Sequence, residues 1–137
     1  MLNEGTKKNA GYFYKVGVFL FIFLLAVDQG SKKMVKQEFL NYKFAFSLNV
    51  PPVLIYVIYT FVVGAIIYYI AGHCKNFSKT AALAWILILA GAFSNIGERI
   101  VFGYVRDWIY IYNGIFNLAD FYIIAGIILL LFQPSKK

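Results

Sequence analysis

The sequence predicts an all-α integral membrane protein: a four-transmembrane-helix bundle with a small β-like interfacial segment between helices 1 and 2. Three observations carry this expectation. The 137 residues are 61% hydrophobic and only 14% charged, where globular chains carry about 25% charged and roughly 45–50% apolar residues. That much apolar surface cannot be hidden inside 15.6 kDa, so much of it must face lipid. Finally, four apolar stretches are separated by polar punctuation, and about 20 residues per spanning helix lets four of them use nearly the whole chain. A cytosolic enzyme, a secreted disulfide scaffold and a nucleic-acid-binding domain built on the +7 charge are excluded on these grounds.

The expected organisation is a single membrane domain, 1–137, with helices at about 11–28, 52–72, 79–101 and 115–133. The first apolar stretch is interrupted by Lys15 and ended by Asp28, and no small-x-small cleavage site follows it. The connection from Gln29 to Pro51 alternates aromatic and small residues through Phe39, Tyr42, Phe44, Phe46 and Leu48. That period of two suggests short strands at the membrane interface. The second stretch holds no charge at all, and the third is apolar until Asn95, Glu98 and Arg99. Between stretches three and four, Gly103 to Gly114 is rich in Tyr and Trp, which fits a membrane–water boundary. The fourth stretch is apolar except for Asn117 and Asp120 in its first turns, and Pro134 with two lysines closes it.

An even number of spans puts both termini on one side. Seven cations then fall on that side and six on the other, so the positive-inside rule leaves the orientation open. His73 and Cys74 stand side by side in a polar connection, too few for a four-ligand zinc site.

Only six residues are acidic. Glu4 lies in the tail and Glu38 beside lysines. The other four, Asp28, Glu98, Asp107 and Asp120, sit at the ends of spans on the face opposite the termini. Ionisable groups at membrane depth are costly and are functional candidates by default. For Asp28, with Lys32 one helical turn later, a paired structural charge is the better reading. Asp107 and Asp120 flank a twelve-residue connection, and a hairpin can bring them together. Two adjacent carboxylates do not both ionise easily, so one keeps a proton, and such a pair can activate water and polarise a carbonyl. Asn95 and Arg99, four residues apart on one helix face, and Asn117 can converge on the same pocket. Interhelical hydrogen bonding is the plainer role for both asparagines.

These residues resemble the motifs of the lipoprotein signal peptidases, the signal peptidase II aspartic peptidases of bacterial membranes. Asp28-Gln29-Gly30-Ser31-Lys32 resembles D-Q-x-x-K, and Asn41-Tyr42-Lys43-Phe44-Ala45-Phe46-Ser47 resembles N-x-G-x-A-F-S. Gly91 to Arg99 resembles G-A-x-x-N-x-x-D-R, Gly103 to Ile109 resembles G-x-V-x-D-F-I, and Phe116 to Asp120 resembles F-N-x-A-D. Five blocks in order are far more specific than any one. The resemblance implies a catalytic dyad of Asp107 and Asp120. It implies supporting or substrate-binding roles for Asn95, Arg99, Asn117, Asp28, Lys32, Asn41 and Glu98.

It also implies the reaction: removal of the signal peptide from diacylglyceryl-modified prolipoproteins, just before the lipidated cysteine, without metal or cofactor. The partners are then those substrates and the lipid bilayer, with no nucleic acid, and a monomer is expected. The implied location is the bacterial cytoplasmic (inner) membrane, with cytoplasmic termini and the active site near the outer leaflet. This chain departs from the pattern in three places. Glu98 stands where the family has Asp, Lys43 replaces a glycine, and the stretch between Asp107 and Asp120 is short. Two rival readings follow, a family-derived binder of lipoprotein precursors that does not cut, and a non-enzymatic small membrane protein.

Overall fold

In a computed structural model, the protein is described over residues 4–36, 38–42, 51–73 and 77–132. Four helices dominate: α1 (Glu4–Met34), α2 (Pro52–His73), α3 (Lys79–Phe102) and α4 (Leu118–Leu131). Four three-residue strands, β1 (Phe39–Asn41), β2 (Val105–Asp107), β3 (Ile109–Ile111) and β4 (Gly114–Phe116), lie in the connections. Lys43 and Cys74 fall outside the described residues. By length and composition, Val53–His73 and Lys79–Phe102 can cross a membrane, with mean hydropathies of 2.3 and 1.7.

The ends of α3 follow from local chemistry. Ser78 caps its start, its hydroxyl accepting from the Ala81 N–H at 3.0 Å. Gly103 ends it at φ 81°, the left-handed conformation that glycine adopts without a Cβ penalty, and its N–H donates to the Arg99 carbonyl. The first helix runs to Met34, past the expected end near residue 28. Asp28 does not terminate it because Lys32, one turn on, pairs with it at 2.8 Å. The fourth helix starts at Leu118, not near 115, because Gly114–Phe116 is taken by β4.

Strand β1 pairs antiparallel with β2, matching Phe39 to Asp107 and Asn41 to Val105. Strands β3 and β4 form a hairpin, matching Ile109 to Phe116 and Ile111 to Gly114. The strands between the third and fourth helices go beyond the aromatic interfacial connection expected there. The signal was present in the β-branched and aromatic run of β3 and in Asn113-Gly114, a common hairpin dipeptide. Here the dipeptide sits one position late. The turn residues are Tyr112 and Asn113, and Tyr112 takes the positive φ of 54°.

Packing centres on α3, which meets α4 most extensively and α1 next, with α2 more loosely attached. Small residues make the α3–α4 approach close. A Cβ on Gly91 would run into the Ala119 carbonyl oxygen, and one on Gly126 would stand 2.6 Å from the Ala84 carbonyl oxygen. Helix α2 is tied at one end by Ile55, which is buried, and by Tyr56, whose hydroxyl donates to the Arg99 carbonyl at 2.7 Å. At its other end Tyr69 packs with Phe77 and Trp85. Most remaining α2 side chains, such as Phe61 and Tyr68, are exposed apolar groups.

Gly91→Ala is therefore predicted to destabilise the fold by about 1–3 kcal/mol, the usual cost of overpacking. Gly97→Ala, where a Cβ meets nothing within 4 Å, should instead gain about 0.5–1 kcal/mol from helix propensity. Thermal melts in detergent of the two variants should move in opposite directions.

Candidate active site

Polar residues that the sequence scatters over 90 positions meet at one end of the bundle. The starting point is Asp28, fully buried on α1. Its Oδ2 accepts from the Ser94 hydroxyl at 2.5 Å and pairs with Lys32 Nζ at 2.8 Å. Its Oδ1 accepts the Ala119 N–H at 3.0 Å. That N–H belongs to the first turn of α4, where backbone donors have no partner within the helix and a negative charge is favoured. Asp28 thus joins α1, α3 and α4. Lys32 is also buried and reaches Glu98 Oε2 at 3.1 Å and Asn95 Oδ1 at 3.5 Å.

Asp107 and Asp120 come together through a pair of asparagines. Asn117 caps α4, its Oδ1 accepting the Asp120 N–H at 3.0 Å, while Asp120 Oδ2 accepts the Asn117 N–H at 3.0 Å. This reciprocal box leaves the Asn117 amide nitrogen free to donate elsewhere. It donates to Asp107 Oδ1 at 2.6 Å and to Asn95 Oδ1 at 3.0 Å. Asn95 Nδ2 closes the circuit by donating to Asp120 Oδ1 at 2.9 Å. On the outer side Asn41, on β1, donates to Asp107 Oδ2 at 2.8 Å. These bonds fill two of the roughly four acceptor positions on each carboxylate, which leaves acceptor capacity for a water or substrate.

Asp107 is buried, and Asp120 is half-buried. A cavity of about 360 Å³ opens beside Asp107, walled by β1, Tyr42 and the turn of the β3–β4 hairpin; Asn41 and Asp107 line it.

Eight of the nine site residues expected from the sequence therefore share one hydrogen-bonded network: Asp28, Lys32, Asn41, Asn95, Glu98, Asp107, Asn117 and Asp120. The ninth, Arg99, is buried on the same face of α3, with its guanidinium 5.4 Å from the centre of the Tyr59 ring. The carboxylate of Glu98 turns to Lys32 and Arg106. Ser94, Gln29 and Arg106 join this network without having been expected there, and Tyr59 is an unexpected neighbour of Arg99. For Ser94 and Gln29 the only signal was their place inside the quoted blocks. Tyr59 carries no such signal, being one of several tyrosines in a span without charge.

Asp107 lies in the connection between helices. Burial, above all, holds its carboxyl above the ordinary carboxylate range. The Asn41 and Asn117 amides pull the other way, the nearby Asp120 charge adds to the rise, and Lys32 opposes it. A carboxyl raised on folding contributes stability that is present below about pH 3.9 and is lost as the pH climbs through the raised value. Asp107→Asn cannot titrate there. The melting temperature of this variant relative to wild type should move in the variant's favour between about pH 4 and about pH 7. A constant difference across that range contradicts this reading of Asp107.

The comparisons with known proteins agree with one another. The family model described as Signal peptidase (SPase) II matches residues 20–135. A lipoprotein signal peptidase of Fusobacterium nucleatum is 30% identical, with 85% of this chain and 84% of that protein aligned. One of Streptococcus agalactiae is 33% identical, covering 85% and 89%. A solved bacterial membrane enzyme superposes with a TM-score of 0.73 at 20% identity, covering 90% of this chain and 94% of its own, which extends the likeness to the fold. A family match over most of the chain and relatives aligned nearly end to end place this protein in the signal peptidase II family.

Proposed function

We propose that this chain is an aspartic endopeptidase in which Asp107 and Asp120 are the catalytic pair. Its substrates are diacylglyceryl-modified prolipoproteins, cut just before the lipidated cysteine. The observation that carries the proposal is the Asn117 bridge. One side chain caps the helix that bears Asp120 and donates to Asp107, so the two carboxylates are oriented by the same residue.

The chemistry is a single displacement. A water held between the carboxyls loses a proton to the ionised member as it attacks the scissile carbonyl, while the protonated member polarises that carbonyl. The tetrahedral gem-diol then collapses, and a proton passes to the leaving amine as the carbon–nitrogen bond breaks. The pair titrates as one coupled unit. Asn95, Asn117 and Asn41 hold the carboxyl planes, and the cavity beside Asp107 receives the chain on either side of the cut.

In the same reading all four helices lie in the bacterial inner membrane, with both termini cytoplasmic and the site near the outer leaflet. The apolar, exposed face of α2 supports this, as does the stretch of charge-free sequence in α4. At about 1.5 Å per residue the 14 residues of α4 rise about 21 Å, short of a hydrocarbon core of about 30 Å. A single active chain, with no metal or cofactor, completes the proposal.

A gel-shift assay on purified protein with a diacylglyceryl-modified prolipoprotein tests it. Asp107→Asn and Asp120→Asn should each cut the rate by at least about 10²–10⁴-fold, the usual contribution of a positioned acid or base. Cleavage that survives in both variants makes the aspartates structural. Folded wild type that binds the precursor without cutting it favours the non-cutting binder.

A further inference from the structure

We propose that Arg106 is a positioning residue for Asp107, clamped to the end of α3 by Glu98. This rests on the reading of Asp107 and Asp120 as the catalytic pair. Strand β2 is three residues long and pairs with the equally short β1. Two such strands hold a carboxylate in place weakly by themselves, since isolated two-stranded pairings are marginal. Glu98 supplies the missing restraint.

The Glu98 carboxylate grips Arg106 by both main chain and side chain. Its Oε2 accepts the Arg106 backbone N–H at 2.9 Å, and its Oε1 accepts Nε at 2.8 Å and pairs with Nη2 at 2.6 Å. The guanidinium is held further by Gln29, whose Oε1 accepts from Nη2 at 3.1 Å, and it lies 5.3 Å from the centre of the Phe102 ring. Arg106 is thus tied to α1 and α3 at once, one peptide bond before Asp107. Side chains alternate along a strand, so Val105 and Asp107, both 2% exposed, share a face that Arg106 does not. Glu98 is itself 2% exposed and shares Oε2 with Lys32, so its carboxylate is fixed before it holds the strand. A residue that never faces the carboxylate pair sets where one member of it stands. An aspartate at position 98, one methylene shorter, cannot keep both Lys32 and the Arg106 main chain at these distances.

Steady-state kinetics on the full chain, with a diacylglyceryl-modified prolipoprotein, test the proposal alongside melting temperatures. Arg106→Ala and Glu98→Asp should each lower kcat about 10–100-fold, the scale of a small misplacement, with KM within about twofold of wild type. Arg106→Lys, which keeps the charge and a donor, should recover part of the loss. Arg106→Ala with wild-type kcat overturns the proposal. So does a raised KM at unchanged kcat, which makes Arg106 a substrate contact. A fall in kcat that only tracks unfolding, in the lysine and Glu98→Asp variants as in the alanine one, overturns it as well. Failure of the underlying reading shows separately, as wild type that does not cut or Asp107→Asn that does.

Discussion

A single buried ammonium organises this molecule. Lys32 is 1% exposed and stands between Asp28 and Glu98, 2.8 and 3.1 Å away. Removing such charges from water is costly, and the pairing offsets the cost only when geometry and further hydrogen bonds are good. Here they are. Asp28 also receives Ser94 and the Ala119 N–H, and Glu98 also receives Arg106. Two cations face two carboxylates, so the cluster is neutral, and its members stand on α1, α3 and β2, with Asp28 also reaching the start of α4. The charges that stabilise one another also fix α1, α3, α4 and β2 at one end of the bundle.

That arrangement explains why the candidate site lies at helix ends rather than within the bundle. Backbone donors at the start of α4 need acceptors, and Asp28, Asn117 and Asp120 supply them. The structural and functional readings of Asn117 are then compatible. Its carbonyl oxygen caps the helix while its amide nitrogen reaches Asp107. The geometry of the proposed catalytic pair follows from capping, so a substitution that breaks the cap also moves the carboxylates.

The sequence made parts of this plain. Apolar lengths located the helices, and the Asp28–Lys32 spacing of one turn made their pairing readable. The five motif blocks named eight residues that now form one network. Other parts depend on contacts that local sequence does not encode. Gln29 meets Arg106 across 77 positions, and Ser94 meets Asp28 across 66. Neither residue type announces such a partner. The spacing of Asp107 and Asp120 leaves their meeting open, because the β3–β4 hairpin that folds the connection has the composition of an aromatic interfacial loop. The extension of α1 was missed for a related reason: Asp28 read as an end, and its burial beside Lys32 made it an interior residue.

The central claim is that the site is held by the buried charge of Lys32. Equilibrium unfolding in mixed micelles of Lys32→Met, beside Lys33→Met at an exposed position on the same helix, tests it most directly. Loss of one partner from a buried ionic cluster should cost about 3–5 kcal/mol in the first variant and leave the second near wild type. Equal stability of Lys32→Met and wild type would contradict the account, because the carboxylates of Asp28 and Glu98 would then be held by something other than the charge between them.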